Sequence, residues 1–261
     1  VSSNVLLRRE QFRAADSPVR SAAVARNILL AKLANSKQVL LRFLRDHPSP
    51  ENQVIEDAAS YLKALMRKLA HGHEWDLELL RGMEGSAAER YFSVFDALIR
   101  NEEAGFRFSG RSRRPPMDPV NALLSFAYTL LGNEMESALE SVGLDPAVGF
   151  LHRDRPGRAS LALDLLEEFR AFLGDRLVLS LLNLKQLKPG DFEHGGNGAV
   201  KLKDHGRKTF LSAYQARKKE LIVHPFTGEK VEIGLLFFIQ ARLLAKHLRG
   251  ELPQYPPFVW R

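Results

Sequence analysis

"GFLHRDRPGRASLALDLLEEFR", residues 149–170, joins two kinds of sequence. Its first half is rich in turn formers and arginine and carries one histidine, His152. From Ser160 the apolar positions Leu161, Ala162, Leu165, Phe169 and Phe172 recur at three- and four-residue steps, the mark of a helix with one oily stripe. Ser160 is a candidate N-cap. The same helix carries Asp164, Glu167 and Glu168, acids at i,i+3 and i,i+4 spacing that repel unless a cation stands nearby.

The helical rhythm extends outward in both directions. It predicts helices over 22–47, stopped by "HPSPE" (47–51), and over 52–69, fading at "HGH" (71–73). A third covers 86–99, with Ala87, Tyr91, Val94, Phe95 and Leu98 on one face. "SGRSRRPPMDP" (109–119) breaks the pattern before a helix over 118–138, which ends ahead of "GLDP" (143–146). Further helices are expected over 175–186, 207–221 and 232–250, with one short hairpin in the Gly-rich 188–206. Strand signals are sparse, so the expected class is all-α, with at most that short β-hairpin.

The chain has 261 residues, 45% of them hydrophobic, enough for a substantial core. Its net charge of +7 is unevenly spread. Residues 1–47 hold nine Lys/Arg against three acids, 51–110 seven against eleven, and 185–230 ten against five. Two basic ends around an acidic middle suit a polyanion held near a cation-binding centre; solvated faces of a basic protein explain it equally well. There are no cysteines, which excludes disulfide frameworks and Cys-ligated zinc. The longest apolar run, 233–239, is far too short to span a bilayer. No phosphate-binding glycine loop, dinucleotide fingerprint or nucleophile elbow is present, so a protein-derived nucleophile has no support.

Three constellations carry potential chemistry. The first is His152 with the acids of the following helix, read either as part of a metal site or as a solvated acidic face partnered by Arg170. In that reading Glu168 is ordinary helix surface. The second is Glu84 in "RGMEGSAAERYF" (81–92), placed by its flanking glycines in a turn just before a helix, where the dipole also favours an acid. Glu84, His152 and Glu167 together, with Asp164 close by, form a mixed oxygen and imidazole set suited to Mn²⁺ or Mg²⁺. Arg153, Arg155 and Arg158 stand ready to clamp flanking phosphates. The third is the basic block "VKLKDHGRKTFLSAYQARKK" (200–219), a candidate phosphate-backbone surface through Lys201, Lys203, Arg207, Lys208, Arg217 and Lys218, joined by Arg158. His71 and His73 read as a surface turn; His47, His194, His205, His224 and His247 read as structural.

As a set, these motifs are specific. "NVLLRREQFRAAD" (4–16), "GMEGSAAERYF" (82–92), "LLSFAYTLL" (123–131) and "GLDPAVGFLH" (143–152) come in order. "GRASLALDLLEEFR" (157–170), "KLKDHGRKTFLSAYQARK" (201–218) and "QARLLAKHLRG" (240–250) follow. The succession closely resembles the C-terminal helical domain of the CRISPR-associated integrase of spacer acquisition, the first of the two universal adaptation proteins. The resemblance implies a divalent metal held by Glu84, His152 and Glu167, with Asp164 as a further acid of the site. It implies that the 3′-hydroxyl ends of a captured DNA fragment are joined to a CRISPR repeat array by metal-assisted transesterification, and that the same centre cuts DNA with water. Double-stranded DNA, a second copy of the full-length protein and the small companion adaptation protein are the implied partners, in the cytoplasm of a prokaryote and not at a membrane.

Family members open with a small β-rich domain, and this chain starts where the linker after it is expected. That predicts a multi-helix catalytic domain lacking the family's N-terminal domain, with 1–20 as linker and start of the first helix and 21–261 as the helical, metal-dependent DNA-integrating domain. Glu84, His152 and Glu167 should then meet within about 8 Å, since ligands bond at ~2–2.6 Å. Two rival readings remain: a basic helical DNA-binding module without chemistry, and a plain metal-dependent DNA nuclease.

Overall fold

The computed structural model describes residues 4–71, 75–101 and 106–260. Helix α1 (Val5–Asp16) starts where the Asn4 side chain accepts from the Leu7 N–H. Ser17 caps α2 (Pro18–Asp46), whose first position is a proline, a residue that loses no hydrogen bond there. Helices α3 (Gln53–His71), α4 (Leu77–Ser93) and α5 (Pro119–Val142) follow, the last two capped by Asp76 and Asp118. Gly143 ends α5 at φ 86°, a left-handed conformation that glycine adopts without a Cβ penalty. Then come α6 (Ser160–Phe169), a π-helical segment over Arg170–Asp175, and α7 (Arg176–Asn183). Helix α8 (Asp204–Lys218) and α9 (Leu236–Leu248) complete the set.

Helix α6 is the axis of the packing. It lies between α2 and α5, and α2 also packs on α3 and α4 while α5 packs on α9. Nine of the ten α6 residues are buried, including Asp164, Glu167 and Glu168. The oily stripe read from the sequence is therefore real, but the opposite face is buried too. The predicted surface position of Glu168 is corrected: it is fully buried, accepting hydrogen bonds from Tyr255 Oη (2.7 Å), Gln240 Nε2 (2.9 Å) and the Phe258 N–H (2.8 Å).

The all-α expectation is also corrected. Among the described residues there are two separate antiparallel hairpins, β1 (Phe192–His194) with β2 (Val200–Leu202), and β3 (Leu221–Val223) with β4 (Lys230–Glu232). The first falls in the Gly-rich 188–206; the second occupies "LIVHPFTGEKVE" (221–232), where β-branched residues pair as Ile222 with Val231. Gly198 and Gly228, at φ 78° and 72°, lie between the paired strands. A second difference concerns Glu84, which lies not in a turn but well inside α4, since that helix begins nine residues before Ser86. Ala159, not Ser160, occupies the N-cap of α6.

The loop between α5 and α6, which carries His152, is tied down from three sides. Gln11 of α1 is fully buried, donating to the carbonyls of Asp145 (2.8 Å) and Val148 (2.9 Å) and accepting from the Asp145 N–H (2.9 Å). Ser21 of α2 donates to the Phe150 carbonyl at 3.2 Å. From α4, Arg81 Nε donates to the Leu151 carbonyl at 2.6 Å. Gly149 is required where the loop crosses α6, because a Cβ there would stand 2.8 Å from Ser160 Cβ and 3.0 Å from Asp164 Oδ2.

Candidate active site

A cleft of about 850 Å³ opens between α2, α4, α5 and α6. Glu84 from α4, His152 from the loop and Glu167 from α6 all line it. So the three residues singled out as ligands face one space, though they lie 68 and 15 positions apart in the chain. Arg111, Arg155, Arg158 and Arg170 line the same walls.

Asp164 determines how His152 sits. Its Oδ2 accepts the N–H groups of Phe150 (2.6 Å) and Leu151 (2.9 Å), and its Oδ1 accepts the N–H of His152 (2.9 Å). Oδ1 also stands 2.6 Å from His152 Nδ1. With a carboxylate there, Nδ1 carries the proton and Nε2 keeps a free lone pair. Asp164 itself is fully buried and accepts four hydrogen bonds, so none of its oxygens is left to reach into the cleft.

Glu167 is the most constrained acid. Burial alone would raise its carboxyl, but the charges of Arg170 and Lys32 outweigh this and hold it well below the usual range. Arg170 Nε stands 3.1 Å from its Oε1. Lys32, which no motif or spacing singles out, places its ammonium 2.7 Å from Glu167 Oε2 and in contact with Glu84 Oε1. The two carboxylates thus converge on a cation supplied by α2. Among the described residues no three His, Asp or Glu side chains are gathered closely enough to form a ready metal cage. The donor chemistry nevertheless fits a hard divalent ion: two carboxylates that meet on one positive charge, and an imidazole with its second nitrogen already anchored. Glu167 Oε2 is buried and has no well-aligned hydrogen-bond donor, which leaves it a lone pair to offer.

Beyond Arg170 lies a second network. Its guanidinium stacks on the Tyr128 ring, 4.5 Å from the centroid. Tyr128 and Tyr91 donate to the two oxygens of buried Asp175 at 2.5 and 3.0 Å. Burial raises Asp175 to about 6, although both tyrosines and the nearby Arg111 and Arg170 pull the other way. Arg170 and Asp175 are the two ends of the π-helical segment, whose wider turn re-aims side chains relative to an α-helix.

The candidate DNA contacts divide. Arg158 lines the cleft, whereas Lys201, Lys203, Arg207, Lys208, Arg217 and Lys218 lie on or beside β2 and α8, away from it. Lys208 and Arg217 line a separate groove of about 720 Å³ against α7. Several of these cations already have partners: Lys218 meets Glu134, Arg217 meets Glu220, and Lys203 Nζ donates to the Gly190 carbonyl at 3.0 Å. His71 Nδ1 stands 2.8 Å from the Arg67 carbonyl, while His73 lies outside the described residues.

Comparison with known proteins places the chain in a family. The model of CRISPR associated protein Cas1 matches residues 1–216, and the chain belongs to that family. It is 54% identical to CRISPR-associated endonuclease Cas1 1 of Chlorobaculum tepidum, over 100% of this chain and 76% of that protein. It is 42% identical to CRISPR-associated endonuclease Cas1 of Leptospira interrogans, over 98% of this chain and 100% of that protein. Among solved structures it resembles a casposase bound to integration product, with a TM-score of 0.79 and 26% identity, covering 100% of this chain and 74% of that one. These matches correct the expectation of a family member lacking its N-terminal domain. The family model begins at residue 1, and the Leptospira protein is matched along its whole length. No helix among the described residues is long and apolar enough to cross a membrane.

Proposed function

We propose that this chain is a divalent-metal-dependent DNA endonuclease and integrase that inserts captured DNA fragments into a CRISPR repeat array, with residues 21–261 as the integrating unit. The observation that supports the reading is that Glu84, His152 and Glu167 line one arginine-walled cleft, with His152 hydrogen-bonded to a saturated, buried Asp164. Family membership, the endonuclease names of the relatives and the resemblance to a casposase bound to integration product support it.

In this reading Glu84, Glu167 and His152 Nε2 hold Mn²⁺ or Mg²⁺. The ion would polarise a phosphodiester and lower the pKa of the attacking hydroxyl or water. The chain's own residues do the rest. Asp164 fixes the imidazole so that Nε2 faces outward without rotational cost. Arg155 and Arg158 bind the phosphates that flank the reacting one, as fork-shaped cations suited to two oxygens at once. Arg170 keeps Glu167 ionised and in place. The attacking group is the 3′-hydroxyl of the captured fragment for joining, and water for cutting; no side chain forms a covalent intermediate.

Lys201, Lys203, Arg207, Lys208, Arg217 and Lys218 form a second contact for the DNA backbone outside the cleft. Assembly with a second copy and with the small companion adaptation protein, in a prokaryotic cytoplasm, belongs to the same proposal. The test is strand transfer of a 3′-hydroxyl DNA fragment into a repeat-bearing target, with and without Mn²⁺. Metal-dependent joining supports the proposal. Cutting without joining reduces the protein to a nuclease, and DNA binding with neither reduces it to a binding module.

A further inference from the structure

The meeting point of Glu84 and Glu167 is already occupied by a charge belonging to the chain. Lys32 projects from the middle of α2, and its ammonium touches Glu84 Oε1 and lies 2.7 Å from Glu167 Oε2. Its side chain is only 13% exposed and that of Glu167 only 4%. A lysine shut away to this degree gives up hydration, and here the two carboxylates return the loss as attraction. Without it Glu84 and the buried Glu167 would repel across the cleft, with Arg170 alone at the far oxygen. Yet the fit is incomplete, because Glu167 Oε2 receives no well-aligned hydrogen bond from the ammonium. The lysine donates to Glu84 Oε1 and neutralises the pair, but it leaves Glu167 Oε2 without a well-aligned donor.

We propose that Lys32 is the resident counter-cation of the Glu84–Glu167 pair in the metal-free protein, and that a divalent ion binds by displacing its ammonium from that seat. This rests on the metal reading given above. An ammonium and a divalent cation cannot share two carboxylate oxygens, since they repel at contact distance. Lys32 therefore does two opposed things. It holds the carboxylates together while the metal is absent, and it weakens metal binding by competing for the same oxygens. Charge alone, acting from anywhere in the cleft, would do only a weak version of the second.

The experiment uses the full chain without DNA. Mn²⁺ is titrated by calorimetry into wild type, Lys32→Met and Arg158→Gln, the last removing a cleft charge that does not touch the pair. Lys32→Met is expected to melt at a lower temperature without metal, to bind Mn²⁺ roughly 10-fold more tightly, and to gain more melting temperature from Mn²⁺ than wild type does. Arg158→Gln is expected to change the affinity by no more than about 2-fold. A second measurement needs no variant: amine labelling of wild type, read by mass spectrometry, should show Lys32 protected without metal and labelled faster with it. Unchanged or weaker Mn²⁺ binding in Lys32→Met overturns the displacement, as does equal tightening in Arg158→Gln or labelling indifferent to metal; the metal reading survives all three. Absence of Mn²⁺ binding in every protein overturns both.

Discussion

Asp164 Oδ1 lies 2.6 Å from Nδ1 of His152 and accepts the backbone N–H of the same residue at 2.9 Å. One oxygen thus fixes both the main chain and the ring of the histidine, while its twin holds the two residues before it. An asparagine there would turn a donor toward amides or imidazole that are donors themselves. Asp164→Asn is expected to lower stability by about 3 kcal/mol, since a buried acceptor of several hydrogen bonds is lost. It should also reduce metal-dependent DNA cleavage by roughly 10- to 100-fold, the usual cost of removing a group that orients a ligand. Urea unfolding and a cleavage assay across Mn²⁺ concentrations check the two parts separately.

The same loop yields a prediction from shape alone. A Cβ on Gly149 would press on Ser160 and on Asp164 Oδ2, and neither belongs to a free side-chain end. Gly149→Ala is expected to cost about 1–3 kcal/mol, the range for overpacking a tight contact. Because the strain falls on the carboxylate that holds His152, cleavage should fall by more than in a surface variant of equal melting temperature. Thermal melts paired with cleavage rates at a temperature where both variants are folded decide it.

Removing a proposed ligand separates chemistry from binding. Glu84→Ala and His152→Ala should abolish Mn²⁺-dependent cleavage and strand transfer while leaving DNA affinity largely intact, because the proposed backbone contacts on β2 and α8 lie elsewhere. Full activity in either variant would remove that residue from the mechanism. Gel-based cleavage and fluorescence-anisotropy binding are the readouts.

Glu168 gives the protein a pH dependence that has nothing to do with DNA. Burial raises its carboxyl from 4.5 to about 8, against the hydrogen bonds it accepts from the Phe258 N–H, Tyr255 and Gln240. Between those values the folded chain keeps a proton that the unfolded chain has already released, so unfolding releases a proton and stability falls as pH rises. The decline should run from about pH 4.5 to about pH 8 and then level off, amounting to at most about 5 kcal/mol. Glu168→Gln, neutral throughout, should remove that slope. Melting temperature against pH for the two proteins tests it; parallel curves would mean that the carboxyl does not hold its proton.

Salt dependence tests the outer basic surface. If Lys201 and Lys208 each neutralise one phosphate, replacing both by alanine should weaken DNA binding for any sequence and lower the log–log salt slope by roughly 1.8. An unchanged slope would remove both residues from the interface.

What could be read in the sequence follows from where each residue's partners lie. The helices over α2, α5 and α6 were legible because their apolar spacing is local. Gly82 and Gly85 suggested a turn at Glu84, but α4 is nucleated upstream by Asp76 and its residues Leu80, Met83, Ala87 and Tyr91 are buried. That packing outweighs the ~1 kcal/mol each glycine costs a helix. Glu168 was misread because α6 is enclosed on all sides, and its partners stand 72 to 90 residues later. Lys32 looked like any helix lysine, since the two acids that give it a role lie 52 and 135 positions away. The second hairpin did leave a signal, two β-branched runs around "FTG" (226–228), which helix periodicity on either side obscured.

The buried anchoring of Glu168 also imposes an order of events on synthesis. Helix α6 brings Glu167 to the cleft, but its neighbouring carboxyl finds its donors only on residues 240, 255 and 258. Asn35 on α2 waits for the same late stretch, donating to the Phe258 carbonyl and accepting from the Trp260 N–H. Until that stretch leaves the ribosome, the Glu168 carboxyl lacks its three donors, and Asn35 keeps only its bond to the Glu168 carbonyl. The packing behind Glu167 is therefore completed only after Gln240, Tyr255 and Phe258 have been made.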